Sequence, residues 1–271
     1  MTISATILTL SASFAQAANT PLESINPLKV LEDSAKVVPG SDGSLGSALN
    51  ILLLLTMLTV APSILILCTS FTRIVVVLGL LRQAIGTQTL PPSQVIVGLS
   101  FLLMLVTMSP TLTAMWDKGL GPYARGEQKD QLLAWDRTKE PLREFMITQI
   151  EATGNTNCVT MILEHRGVDT SDPSLLTWEK DVDLLTLIPA FVLSELKTAF
   201  LIGFRVYLPF LVIDMVIASV LVSMGMMMLP PVLVSLPFKL LLFVLVDGWT
   251  LIAGSLIGGV LRPMLELNGG V

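Results

Sequence analysis

Residues 189–231 read PAFVLSELKTAFLIGFRVYLPFLVIDMVIASVLVSMGMMMLPP. The run is apolar enough for a bilayer, yet it carries Glu195, Lys197, Arg205 and Asp214. It sits inside a nearly unbroken apolar block, residues 184–263, long enough for three or four crossings at roughly 20 residues each. Only 14% of the 271 residues are charged, against roughly 25% in a soluble domain, and the mean hydropathy is +0.76. The expected fold class is therefore all-α, an integral membrane protein of helical hairpins with broken helices. The breakers are Pro209, Gly225, Pro230, Pro231 and Pro237, with Gly203, Gly248, Gly254 and Gly258–Gly259. Broken helices at membrane depth are tolerated where protein or a water-filled cavity surrounds them.

The charges are the constraint. With Lys239 and Asp247, six ionisable residues lie within the block, and a seventh, Arg262, sits at its end where it can snorkel. Each would cost roughly 2.5–3.5 kcal/mol facing lipid at a helix centre, so six unpaired would cost about 15–21 kcal/mol. That exceeds the whole stability of a typical domain, roughly 5–15 kcal/mol. They must pair, line water, or lie outside hydrocarbon. Glu195 and Lys197 are two apart, so they point to different sides of one helix and cannot neutralise each other. Glu195 with Lys239 is one candidate pair, and Asp214 with Lys197 or Arg205 another; residue spacing does not rank them. The partners lie on another helix or another subunit, and in the second case assembly would depend on both charges.

Residues 224–228 hold four of the 13 methionines. Met226, Met227 and Met228 are consecutive, about 100° apart on a helix, so they form no single stripe. Beside Gly225 and Pro230–Pro231 they read as a loop or helix tip. Methionine is flexible and polarizable. The cluster is either core filler or a compliant ring that closes a pore and yields to a passing chain.

The rest of the chain is read around this block. Residues 1–17 read as a secretory signal ending in the A-x-A pattern of Ala15 and Ala17, although no Lys or Arg precedes the apolar part. Residues 18–47, rich in Pro, Gly, Ser and Asn, read as a flexible linker. Residues 48–110 read as a first apolar hairpin: a run kinked at Pro62 and carrying Arg73, a turn after Arg82, and a return span that Pro110 ends. The two arginines favour a cytoplasmic turn, which makes residues 111–183 an extracytoplasmic insert. Within it, one helix is expected after Asp130, a second from Pro141, and a helical turn or a strand over Val159–Leu163.

Several function classes drop out. There is no H-E-x-x-H, G-x-S-x-G, P-loop or G-x-G-x-x-G pattern, so no enzyme activity and no cofactor are expected. The single histidine, His165, lies in a polar segment. The net charge of −5 carries no basic footprint, so nucleic acid is not a partner. Cys68 falls in an apolar run and Cys158 in the polar insert, a poor arrangement for a disulfide.

Three stretches carry a resemblance: TSFTRIVVVLGLLRQAIGTQTLPPSQVIVGLSFLL at 69–103, EPLREFM at 140–146, and residues 189–231. The chain closely resembles the FliP family, export-gate proteins of the flagellar type III secretion system. The resemblance runs from about Leu49 to the C-terminus. It implies a homopentameric ring joined by FliQ and FliR into a conical channel for unfolded flagellar proteins. It implies a place in the bacterial inner membrane and flagellar basal body, with FlhA, FlhB and the basal-body ring as further partners. It implies that the assembly is drawn largely out of the bilayer plane, so that predicted spans need not be true spans and polar groups can face subunits and a wet lumen, with membrane lipid as a further partner. It makes Met226, Met227 and Met228 the gasket at the constriction, and Glu195 and Lys239 partners at a subunit interface. After FMITQ the family continues with a charged helix, whereas here IEATGNTN intervenes. The alternatives are an injectisome homologue, a proton-coupled secondary transporter using Glu195 and Asp214, and an assembly scaffold without a lumen.

Overall fold

The computed structural model describes residues 66–87, 91–168, 170, 178, 182–226 and 229–267, together with residues 52, 55, 56, 59 and 63. The signal segment with Ala15 and Ala17, the linker, Met227 and Met228 lie outside the described residues. The elements that are described are all helical.

Helix α1 spans Phe71–Ile85. Its Ile74, Val77, Leu78, Leu81 and Ile85 recur at helical spacing and are all buried. That stripe is the centre of the core, and its main partner is the long helix α6, Leu184–Ser223. The two helices approach closely at Gly203, where an added Cβ would come within 2.2 Å of Leu80 Cδ1. Helix α2, Ser93–Met115, returns alongside α1. The hydroxyls of Ser70 and Thr107, 2.7 Å apart and buried, tie the start of α1 to α2.

Pro110 does not end α2. The helix runs through it, passes a π-helical turn at Trp116–Leu120 and continues into the short α3, Gly121–Ala124. Likewise α4, Gln131–Ala152, is one helix containing Pro141, not two meeting there. Asp130 caps it by accepting from Leu132 N (2.9 Å) and Leu133 N (3.4 Å). Val159–Leu163 is helical, within α5, Asn157–His165. Helix α4 packs on α2, α6 and α8, with Phe145 meeting Phe191 edge to face at 5.9 Å.

Pro209 is the largest correction. It was expected to break the apolar block, but α6 is continuous through both Pro189 and Pro209. An interior proline removes a backbone donor and clashes with the carbonyl four residues back, roughly 3 kcal/mol. Packing of α6 on α1, α4, α5 and α7 outweighs that local preference. At 1.5 Å per residue its 40 residues span about 60 Å. That is twice a hydrocarbon core of roughly 30 Å. Among the described residues the block from 184 onward is three helices. Helix α7, Pro231–Leu245, and helix α8, Gly248–Leu267, contain Pro237 and Pro263 internally.

Helix α6 stops through local chemistry. Gly225 takes φ 77°, the left-handed region. Its N–H donates to Val222 O and Met226 N to Leu221 O, both 3.0 Å, the paired bonds of a Schellman stop. Pro230 then precedes α7, with Pro231 at the first helical position. Helix α7 runs antiparallel to α6, bringing the Phe243 ring 6.4 Å from Phe210. At Asp247 the return leg breaks, with φ 49°. The break turns α8 onto α2 and α4.

Candidate functional site

Two buried charge clusters tie the helices together. In the first, Arg73 on α1 grips Glu195 on α6 with a two-pronged bond: Nε donates to Oε2 at 2.9 Å and Nη2 to Oε1 at 2.5 Å. Both side chains are almost fully buried, 2% and 1% exposed. Nη2 also donates to Gln149 Oε1 on α4 (3.2 Å), and Nη1 to Gly259 O on α8 (3.4 Å). Gln149 Nε2 donates to Val260 O at 3.0 Å. Four helices thus meet at one guanidinium.

The sequence explains why a carbonyl is available there. In an α-helix the Gly259 carbonyl would accept from the N–H of residue 263. Residue 263 is proline and has no N–H. The orphaned acceptor is taken by Arg73. Only arginine offers enough fixed donors to serve a carboxylate in fork geometry, an amide and a carbonyl together.

In the second cluster, Lys239 Nζ on α7 donates to Asp214 Oδ2 on α6 at 2.5 Å and to Ala84 O at 3.2 Å. Ala84 lies in the last turn of α1, where carbonyls lack helical partners and a cation is favoured. Ser235 Oγ donates to the other Asp214 oxygen at 2.5 Å. The site joins α1, α6 and α7.

Neither pairing offered by residue spacing forms within the chain. Lys239 is held at Asp214, 19 residues along α6 from Glu195, or about 28 Å. Lys197 and Arg205 are exposed and have no hydrogen-bond or ion-pair partner among the described residues. Arg205 precedes Asp214 by nine residues, half a turn round the helix at 100° per residue, so it points away from that carboxylate.

A third tie lies at the start of α6. Asp183 accepts from Thr186 N (3.0 Å), Thr186 Oγ1 (2.7 Å) and Arg166 Nη1 (2.5 Å). Burial pushes the Asp183 pKa up. The hydrogen bonds from Arg166 and Thr186 and the arginine charge more than reverse this, so the carboxyl sits below its ordinary value. Nearby, Asn155 Nδ2 donates to Ser194 Oγ (3.0 Å) and Thr198 Oγ1 (3.1 Å), fixing the α4–α5 turn to α6.

The outer surface has a different character. Large apolar side chains are exposed along α2, α6, α7 and the start of α8, among them Leu102, Phe204, Met215, Leu233, Val244 and Leu251. Three helical stretches among the described residues are long and apolar enough to cross a membrane: Ser93–Ala124, Leu184–Ser223 and Gly248–Glu266. Among the described residues no three metal-ligating side chains gather. Cys68 and Cys158 are both free thiols. Met226 is exposed at the end of α6.

Comparison with known proteins places this architecture. The FliP family model matches residues 54–256. The chain belongs to the FliP family. The flagellar biosynthetic protein FliP of Bacillus subtilis is 48% identical over 215 residues, covering 79% of this chain and 92% of that protein. The FliP of Pectobacterium carotovorum is 47% identical over 219 residues, 81% of each chain. That of Aquifex aeolicus is 42% identical over 252 residues, 93% of this chain and 96% of the relative. Arg73, Gln149, Glu195, Asp214 and Lys239 of this FliP-family chain all lie within the matched region. Pro263, which frees the carbonyl that Arg73 uses, lies just beyond it.

Sequence reasoning singled out Glu195, Asp214 and Lys239 but not the residues that serve them. In the sequence Arg73 is only a topology signal, and nothing there marks Gln149, Ser235 or, in the separate tie to Ser194 and Thr198, Asn155. The available signal was Arg73 itself, an obligate cation inside an apolar run that had to find an anion.

Proposed function

We propose that this chain is a channel-forming subunit of the flagellar type III protein export gate. It assembles as a homopentamer with FliQ and FliR, beside FlhA, FlhB and the basal-body ring. It passes unfolded flagellar axial proteins across the inner membrane and does no chemistry itself. The relatives' names, all flagellar biosynthetic proteins, favour the flagellar apparatus over an injectisome.

The carrying observation is the division of polar and apolar surface. The inward charges are satisfied by Arg73–Glu195 and Lys239–Asp214, while large apolar faces on α2, α6 and α7 have nothing against them among the described residues. One chain exposing this much apolar surface fits a subunit that lipid and neighbours cover together. Helix α6, about 60 Å long, also exceeds what a single bilayer crossing needs. The carboxylates a transporter would use for protons are instead clamped by cations. In sequence, Met226, Met227 and Met228 fall between the Schellman stop of α6 and the proline start of α7, and flexible methionine side chains suit a seal that yields.

The test is export. Deleting the gene should abolish swimming and remove flagellar axial proteins from the medium, and a plasmid copy should restore both. Replacing Met226–Met228 with Ala should raise ion leakage without loss of assembly. Undiminished export in the deletion strain would refute the reading. N-terminal sequencing of the mature chain should begin at Ala18, after the signal.

A further inference from the structure

Among the exposed charges without a described partner, Arg205 and Asp247 stand where the surface is otherwise apolar. Arg205 stands on α6 beside the exposed Leu201, Phe204, Leu208 and Val212. Asp247 stands at the break between α7 and α8, beside Val244 and Leu245, which are 72% and 73% exposed. No described residue donates to the Asp247 carboxylate or accepts from the Arg205 guanidinium. Asp247 is also the only described non-glycine residue with positive φ.

Their heights match. The Lys239–Asp214 contact sets the register between α6 and the antiparallel α7. From Asp214 back to Arg205 is nine residues, about 13.5 Å of helix; from Lys239 on to Asp247 is eight, about 12 Å in the same direction. The Phe210–Phe243 contact lies on the same register. Arg205 and Asp247 are therefore level to about one residue rise. They do not meet within the chain, because Arg205 points half a turn away from Asp214 and hence away from α7. Arg205 thus faces away from α7, while Asp247 is exposed at the break beyond the end of α7.

We propose that Arg205 of one copy pairs with Asp247 of the next, in a head-to-tail contact between the free face of α6 and the outer face of the α7–α8 break. This rests on the homo-oligomer reading above and names the contact that would build it. Different faces with complementary charges make a heterologous interface, which closes into a ring when the rotation allows. For copies related by rotation about an axis close to the α6 direction, with little rise from copy to copy, groups at similar height meet. That rule excludes Lys197, eight residues or about 12 Å above Arg205. It also excludes Glu266, 19 residues or about 28 Å beyond Asp247 along α8. Burying either charge alone against lipid is unfavourable, and each removes the other's penalty. The exposed leucines, valines and Phe204 around them supply the apolar contact.

The experiment uses the full chain, co-expressed with its neighbouring flagellar genes and extracted in mild detergent. Two copies with different tags, one Arg205→Cys and one Asp247→Cys, are made in a Cys158→Ser background; Cys68 is buried and does not compete. Mild oxidation should give a disulfide-linked species carrying both tags. Lys197→Cys with Asp247→Cys should not. Arg205→Glu and Asp247→Arg should each lower the oligomer yield about tenfold or more, and the double reversal should restore it. This second arm also decides the matter if a cysteine variant fails to accumulate. An intact oligomer with no Arg205–Asp247 cross-link and no rescue overturns the pairing while leaving the homo-oligomer reading standing. Equal cross-linking from Lys197 overturns the height rule on which it rests. Capture of a different protein by Arg205→Cys overturns the choice of a second copy as occupant. A wild-type chain that purifies only as a monomer overturns both readings.

Discussion

Replacing Glu195 should expose how far the first charge cluster holds this protein together. In Glu195→Gln the Arg73 guanidinium stays buried at 2% exposure but loses its counter-charge. It keeps Gln149 Oε1 at 3.2 Å and Gly259 O at 3.4 Å, both neutral and both long. Removing one partner of a buried ion pair costs about 3–5 kcal/mol, because the remaining charge is left uncompensated. At roughly 1.4 kcal/mol per tenfold, the folded-to-unfolded ratio should fall between about a hundredfold and a few thousandfold. Arg73→Met should cost a similar amount. The double variant Arg73→Met with Glu195→Leu buries no charge and fills much of the same space, so it should lose far less than the sum of the singles. The assay is a double-mutant cycle on the full-length protein in detergent, following helix content against denaturant. Two results would refute the reasoning: a loss below about 1 kcal/mol for Glu195→Gln, or a double variant whose loss equals the sum of the singles.

Three further outcomes follow from the same geometry. Lys239→Met should destabilise less than Glu195→Gln, because the stranded Asp214 is 23% exposed and can recruit water; an equal or larger loss on denaturant unfolding would contradict this ordering. Gly203→Ala puts a Cβ 2.2 Å from Leu80 Cδ1 and 3.1 Å from Leu80 Cβ, an overpacking loss of about 1–3 kcal/mol that Leu80→Ala should relieve in the double variant. Asp183 has a lowered pKa in the folded chain, so its stabilisation is full above the unfolded carboxyl value of about 3.9 and is lost as pH falls through the folded value. Asp183→Asn should therefore flatten the acid limb of the unfolding profile, and an unchanged limb would remove Asp183 from that account.

The sequence made some of this legible and hid the rest for physical reasons. The all-helical class followed from apolar runs of spanning length, and the importance of Glu195, Asp214 and Lys239 from the cost of burying charge. The partners did not follow, because sequence separation says nothing about which helices touch. Arg73 and Glu195 are 122 residues apart in the chain. Asp214 was weighed against Lys197 and Arg205, near in sequence, while its cation came from α7. Gln149 and Asn155 were invisible because a polar side chain in a polar insert looks solvated until a neighbouring helix covers it. Both are buried under α6 and α8 contacts.

Proline misled most consistently, and the error has one cause. Pro110, Pro141 and Pro209 were read as helix ends or beginnings, whereas each is internal to a helix. A proline deletes one donor, and packing of the helix against its neighbours can outweigh that local loss. In a bundle the freed carbonyl is an acceptor that another helix can use. Pro263 shows the consequence directly, because the Gly259 carbonyl it leaves free receives Arg73 from α1. Pro209 likewise removes the helical donor to the Arg205 carbonyl, beside the guanidinium proposed to reach a neighbouring copy. Arg205→Lys, which keeps the charge but loses the planar fork, should for that reason weaken the contact between copies less than Arg205→Glu and more than no change at all.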